Sequence, residues 1–135
     1  MKRIFLDTNV VIDFLCKREP FYKDSVDILM LAYHHKIILY TSSITFSTAS
    51  YLLRKKEYNE MLMLLRNLRT LIKVATVDEK VVDSSLISEF NDFEDSLQYY
   101  SSLRMKCECI ITRNGKDFLS SEISVMSPTE FLQDY

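Results

Sequence analysis

The chain has 135 residues, 47% of them hydrophobic, with a single glycine and a formal net charge of -2. That length suits one domain with a sizeable core, and the slightly acidic balance excludes the broad basic coating of a general nucleic-acid binder. The apolar stretches are too short to span a bilayer, Met1-Lys-Arg leads into a strand rather than a signal peptide, and Cys16, Cys107 and Cys109 have neither CxxC spacing nor zinc-ligand company, so the expectation is a cytoplasmic protein with buried free thiols and no membrane association.

The run Ile4, Phe5, Leu6 is continuous rather than alternating, which predicts a strand buried on both faces and stopped by Asp7. Thr8 or Asn9 is the candidate cap of a helix through Val10, Val11, Phe14 and Leu15, ending near Lys17 because proline disfavours helix in the residue before it, here Glu19. A second helix is expected from about Tyr22 to His34, then a strand over Ile37 to Tyr40. The adjacent His34 and His35 point apart on a helix and make a poor ligand pair. Thr41, Ser42 and Ser43 supply caps for a third helix with Ile44, Ala49, Leu52 and Leu53 inside.

From Glu57 to Ile72 apolar residues surround much of a helix, so it is either an interface or clasped by two neighbours. A strand over Lys73 to Val77 follows, then a helix opened by Asp78-Glu79, another over Asp92 to Arg104, and a strand over Cys107 to Thr112, in which the two cysteines share a face. Lys116-Asp117-Phe118 reads as one helical turn. A short strand near Ser124 to Met126 precedes a helix with Ser127 as N-cap, Pro128 at N1 and Glu130 at N3, a capping box. Alternating strands and helices call for an α/β fold with a parallel sheet covered on both faces, and with no linker or repeat the expectation is one domain over residues 1–135.

Four acids stand out against this frame. Asp7 ends the first strand, Asp92 and Asp95 share one face near a helix N-terminus, and Asp117 lies just past the Cys107 to Thr112 strand. Right-handed parallel connections bring those strand ends to one sheet edge, the edge at which ligands bind in open α/β sheets. Converging carboxylates repel unless a cation neutralises them, and oxygen donors without Cys or His favour Mg²⁺ or Mn²⁺. Such an ion can activate water against a phosphodiester. Arg54, Lys55 and Lys56, Arg104 and Lys106, and Arg113 and Lys116 are the candidate basic rim for a nucleic acid. An aspartyl phosphatase using Asp7 is disfavoured, since Asn9 stands where that chemistry wants a second acid.

Leu6-Asp-Thr-Asn-Val-Val-Ile-Asp13, Asp92-Phe-Glu-Asp95 and Ile111-Thr-Arg-Asn-Gly-Lys-Asp-Phe118 resemble the three motif regions of the PIN domain family, and Ser127-Pro-Thr-Glu-Phe-Leu132 is also similar. The resemblance implies a three-layer α/β/α sandwich around a central, mostly parallel sheet. It also implies a Mg²⁺- or Mn²⁺-dependent endoribonuclease acting on RNA, often the VapC-type toxin of a toxin-antitoxin pair, with an antitoxin protein as partner and a homodimer as the common assembly. Position by position it implies Asp7, Asp95 and Asp117 as catalytic, metal-binding acids, Asp92 as an accessory acid, and Asn9, Thr112 and Asn114 as polar positions orienting ligands or phosphate. One position departs. Where the family carries a further glutamate, this chain has Thr48, which brings a hydroxyl and no charge. The alternative is therefore a degenerate PIN module that binds RNA or a protein partner without cutting.

Overall fold

The computed structural model describes residues 1–135. β1 (Arg3–Leu6) leads into α1 (Thr8–Leu15) and α2 (Tyr22–Tyr33); β2 (Ile38–Ser42) into α3 (Ser43–Leu52) and α4 (Tyr58–Arg69); β3 (Ile72–Ala75) into α5 (Glu79–Leu86) and α6 (Phe93–Arg104). β4 (Cys109–Ile111) is followed by a 3-10 turn, Gly115–Phe118, then β5 (Ser124–Met126) and α7 (Pro128–Asp134). No helix is long and apolar enough to cross a membrane.

The five strands form one sheet in the order β3-β2-β1-β4-β5, and every pair is parallel. Ile4, Leu6, Leu39, Cys109 and Ile111 face a core shared with α1, α2, α3, α4 and α7, while Phe5, Tyr40, Ala75 and Ile110 face a smaller one closed by Tyr99 of α6 and by Phe118. The result is the expected three-layer α/β/α sandwich, and the sheet is wholly parallel. The β1 residues Ile4, Phe5 and Leu6 are at most 1% exposed, and a side chain of that size contributes roughly 1.5–3 kcal/mol when fully buried.

Local departures from expectation have physical causes. Cys107 precedes β4, its N–H spent on the Ser102 carbonyl at 3.0 Å, so strand alternation does not reach it; it lies in the smaller core and Cys109 in the larger, on opposite sides of the sheet. Ile72 leaves the helical stripe because the chain exits α4 at Arg69, and Ile72 pairs with Leu39 as the first residue of β3. α4 is mostly clasped: Met61 and Leu68 are buried and Leu62, Leu64 and Leu65 pack partly on the same core, leaving Met63 59% exposed. Ser127 and Glu130 form the anticipated reciprocal cap at the start of α7.

Candidate active site

β2 and β4 flank β1 on opposite sides, so the chain reverses its direction of travel across the sheet between β1 and β4. In open parallel sheets the crevice above such a reversal receives the ligand. Asp7 ends β1 there, and β4 delivers Thr112 beside it. Asp7 is its own cap: α1 starts at Thr8 without a spacer, and the Thr8 N–H donates to Asp7 Oδ1 at 2.8 Å, a task expected of Thr8 or Asn9. On Oδ2, Thr112 Oγ1 donates at 2.8 Å and Asn9 Nδ2 at 3.2 Å. Asn9 Nδ2 also reaches Thr112 Oγ1 at 3.1 Å, and its Oδ1 accepts from the Arg113 N–H at 3.2 Å. Asp7, Asn9 and Thr112 therefore form one hydrogen-bonded knot. Asp7 is only 6% exposed, and burial raises its carboxyl above the ordinary value against the lowering effect of the Thr112, Thr8 and Gln98 bonds; the charge of Asp117 adds to the rise.

Beneath this knot lies a polar bed that the residue pattern did not reveal. Gln98 of α6 is fully buried, accepts from the Ser42 hydroxyl through Oε1, and directs Nε2 at Thr8 Oγ1 (3.0 Å), Thr45 Oγ1 (3.1 Å) and, more distantly, Asp7 Oδ1 (3.5 Å). Thr45 Oγ1 also lies 2.9 Å from Thr8 Oγ1 and 2.8 Å from Thr41 Oγ1, which donates to the Leu6 carbonyl at 2.9 Å. Thr45 thus joins Ala49 on the inward side of α3, while Leu52, expected inside, is 45% exposed. The available signal was spacing: Gln98 follows Asp95 by three residues and Thr45 follows Thr41 by four, so each shares a helical or cap face with its forerunner.

The remaining acids surround Asp7 without touching it. Asp92 caps α6, its Oδ2 accepting from the Asp95 N–H at 3.0 Å. Asp95 sits within electrostatic reach of four carboxylates; burial, then the charges of Asp7, Asp92, Asp117 and Glu94, push its carboxyl up to about 7. Glu94 is raised too, by burial and then by Asp92 and Asp7. Asp117 rides on the 3-10 turn, which is pinned by buried Phe118 against Phe90, ring centroids 5.9 Å apart. No three acidic, histidine or cysteine side chains close on one point tightly enough to grip an ion unaided. Oxygen-only donors, a repelling cluster and one immobilised carboxylate still suit a hard divalent cation, which ordinarily keeps several waters and takes one or two carboxylates.

Other expected residues occupy plainer places. Thr48 is half-buried one turn along α3 from Thr45 and lies outside the hydrogen-bonded knot. The Asn114 N–H donates to Thr112 Oγ1 at 3.1 Å, and its carbonyl accepts from the Asp117 N–H at 2.9 Å. Arg113 is not a free rim cation: its guanidinium grips buried Asp13 through Nε at 2.7 Å and Nη2 at 3.1 Å and stacks 3.8 Å from the Phe21 ring centroid. Arg18 binds Asp13 from the other side at 3.1 Å. Arg104 is likewise committed, to Asp78 at 2.7 Å. Asp13, one turn after Asn9 on α1, is a site-supporting residue that motif reading passed over.

Fold and site together define a parallel α/β protein with an acid-lined mouth at the strand ends of its reversal point. The sequence profile of the PIN domain matches residues 3–116, and the chain belongs to that family. It is 27% identical over 137 residues to ribonuclease VapC1 of Aquifex aeolicus (strain VF5), covering 98% of this chain and 94% of the relative. Among solved structures, VapBC-1 from nontypeable Haemophilus influenzae superposes with a TM-score of 0.67 at 18% identity over 94% of this chain and 98% of the other. A toxin-antitoxin complex from Klebsiella pneumoniae matches with a TM-score of 0.67 at 19% identity, covering 93% of this chain and 97% of the other.

Proposed function

We propose that the chain is a divalent-metal-dependent endoribonuclease of the toxin type, with Asp7, Asp95 and Asp117 holding Mg²⁺ or Mn²⁺ and RNA as the substrate. The observation that carries this reading is the gathering of mutually repelling carboxylates over the sheet reversal, with Asp95 pushed up to about 7 by burial and then by its neighbours' charges. A protein keeps such an arrangement at a cost to its own stability, and clusters of this kind are more often functional than structural. When bound, the cation supplies Lewis acidity toward a phosphodiester oxygen and acidifies a coordinated water.

The chain's own residues prepare that site. Thr8 N–H, Thr112 Oγ1 and Asn9 Nδ2, on a turn that Gln98 ties down through Thr8 Oγ1, keep Asp7 in one orientation, and the N-terminal end of α1 works against the burial that raises its carboxyl on balance. The 3.5 Å approach of Gln98 is too long to saturate Oδ1, so that oxygen retains capacity for a further partner. Asp92 spends one oxygen on capping and adds negative potential beside Asp95. Asn114 and Lys116 flank Asp117 as the polar and cationic positions for a phosphate. The names of the relatives support an antitoxin protein as partner, the exposed apolar part of α4 supports an interface such as a homodimer, and a cytoplasmic setting follows from that reading.

Thr48 favours a second reading, a PIN module that binds RNA or protein without cutting, because it contributes no charge where the family places an acid. The two readings separate in one experiment: purified protein on structured RNA in Mn²⁺, beside Asp7→Asn and Asp95→Asn, with melting recorded with and without metal. Cleavage lost in both variants, together with Mn²⁺-dependent stabilisation of the wild type, is the expected result. Absence of both cleavage and stabilisation in the wild type overturns the nuclease reading.

A further inference from the structure

We propose that Gln98 is the positioning residue that sets Asp7 relative to Asp95. It deepens the nuclease reading and rests on it for its catalytic consequence alone. Asp95 and Gln98 are three residues apart on one face of α6, so a rigid helix turn carries both. Asp95 reaches the mouth from that turn, and the Gln98 amide is the tie to the other acid: Nε2 to Thr8 Oγ1 at 3.0 Å and to Thr45 Oγ1 at 3.1 Å, with Asp7 Oδ1 at 3.5 Å beyond. Thr8 also donates its backbone N–H to Asp7, so a tie on Thr8 fixes the turn on which Asp7 sits.

The surrounding bonds set the orientation of the amide. Ser42 Oγ accepts from the Ile44 N–H and gives its own proton to Gln98 Oε1; a flipped amide would aim Oε1 at the Asp7 carboxylate and at two hydroxyl oxygens already bonded to each other. A fully buried glutamine is a costly way to fill a hole that methionine would fill, since each of its polar atoms must be satisfied. Its bonds span three elements, the β1–α1 turn, the β2–α3 junction and α6, and all converge under the same carboxylate. A purely structural filler has no need of that convergence. It is the arrangement expected of an outer partner that orients a ligand side chain.

The test uses the full chain and three variants. Gln98→Met removes the donors at nearly constant volume. Ser42→Ala removes the tie that orients the amide, together with the α3 cap on the Ile44 N–H. Ser101→Ala is the control for stability alone: it removes an α6 bond from a side chain as buried as Gln98, to the Thr76 carbonyl at 2.6 Å, that leads away from the site. Titration calorimetry with Mn²⁺ is expected to show about 10- to 100-fold weaker binding for Gln98→Met, a smaller loss for Ser42→Ala, and none for Ser101→Ala. On RNA the same variant loses kcat by a similar factor while KM stays within about twofold. NMR couplings of the Asp7 β-protons give a readout that needs neither metal nor activity: one χ1 rotamer in the wild type and in Ser101→Ala, and averaged rotamers in Gln98→Met. An Asp7 rotamer and Mn²⁺ affinity unchanged by Gln98→Met overturn the positioning role. A wild type that holds Asp7 in one rotamer, loses it in Gln98→Met, and neither binds Mn²⁺ nor cuts RNA overturns the nuclease reading and keeps the positioning role.

Discussion

Replacing Asp13 with alanine tests how far the acid-lined mouth depends on a contact outside it. Asp13 is 1% exposed and accepts three charge-assisted hydrogen bonds, two from Arg113 and one from Arg18. Removing one partner of a buried ion pair costs about 3–5 kcal/mol when the orphaned charge stays buried. Here the arginine side chains are 45% and 24% exposed for Arg18 and Arg113, so both rehydrate in part, and the expected loss falls to about 2–3 kcal/mol. For a chain of this length each kcal/mol moves the melting midpoint by about 3–4 °C, so Asp13→Ala should melt roughly 6–12 °C lower. Urea unfolding at fixed pH gives the free energy directly. The variant Arg18→Ala, which removes the more exposed partner alone, should cost under about 1 kcal/mol. Because Arg113 also donates its N–H to Asn9, Asp13→Ala should further weaken Mn²⁺ binding. A loss below about 1 kcal/mol for Asp13→Ala would show that the clamp is solvated in solution and refute the reasoning.

Three more outcomes follow from the same geometry. Asp95 has a folded pKa of about 7 and Asp7 is also raised, so the folded chain binds more protons than the unfolded one between about pH 4 and pH 7; metal-free stability should therefore fall as pH rises through that window, and a melting temperature that climbs steadily from pH 5 to pH 7.5 contradicts the cluster. Asp7→Asn keeps one oxygen to accept from the Thr8 N–H and turns an amide toward Thr112 Oγ1, whose hydroxyl can accept, while removing a desolvated charge, so without metal its melting temperature should change little, and the Mn²⁺-induced rise should vanish in the same differential scan. Thr48→Glu restores an acid on α3 and should tighten Mn²⁺ binding while lowering metal-free stability; calorimetry showing unchanged affinity would place Thr48 outside the cation's surroundings.

The residue pattern made the scaffold legible because each signal was local. The buried run of β1 halted at Asp7, helix periods alternated with short apolar strands, and Ser127, Pro128 and Glu130 announced α7. The acids were legible for the same reason, since parallel right-handed connections send every strand end to one edge. What stayed hidden was partnership across the chain. Arg113 and Arg104 looked like rim cations until the fold brought Asp13 and Asp78 to them. Thr45 and Gln98 looked like ordinary helix residues, because most of the partners that satisfy them lie 37 to 91 positions away. Cys107 misled for the opposite reason: strand alternation was carried past the point where the strand begins.

The site divides its carboxylates into two kinds, and the division follows from where the chain puts them. Asp7 is laid down by the central strand and receives bonds from Thr8, Asn9 and Thr112, so its position is set before any ligand arrives. Asp95 and Asp117 stand at a helix start and on a 3-10 turn, where the backbone bonds of their own segments hold the main chain and leave the carboxylates to the mouth. A fixed acid facing adjustable ones is an arrangement in which repulsion selects the occupant: the adjustable acids relax toward Asp7 only when a positive charge lies between them. Under the proposed metal assignment the polar bed under Asp7 matters more than the number of acids, because a cation held by few protein oxygens and several waters would depend on the one ligand that does not move. On that argument Thr48 lowers the charge of the mouth without removing its anchor.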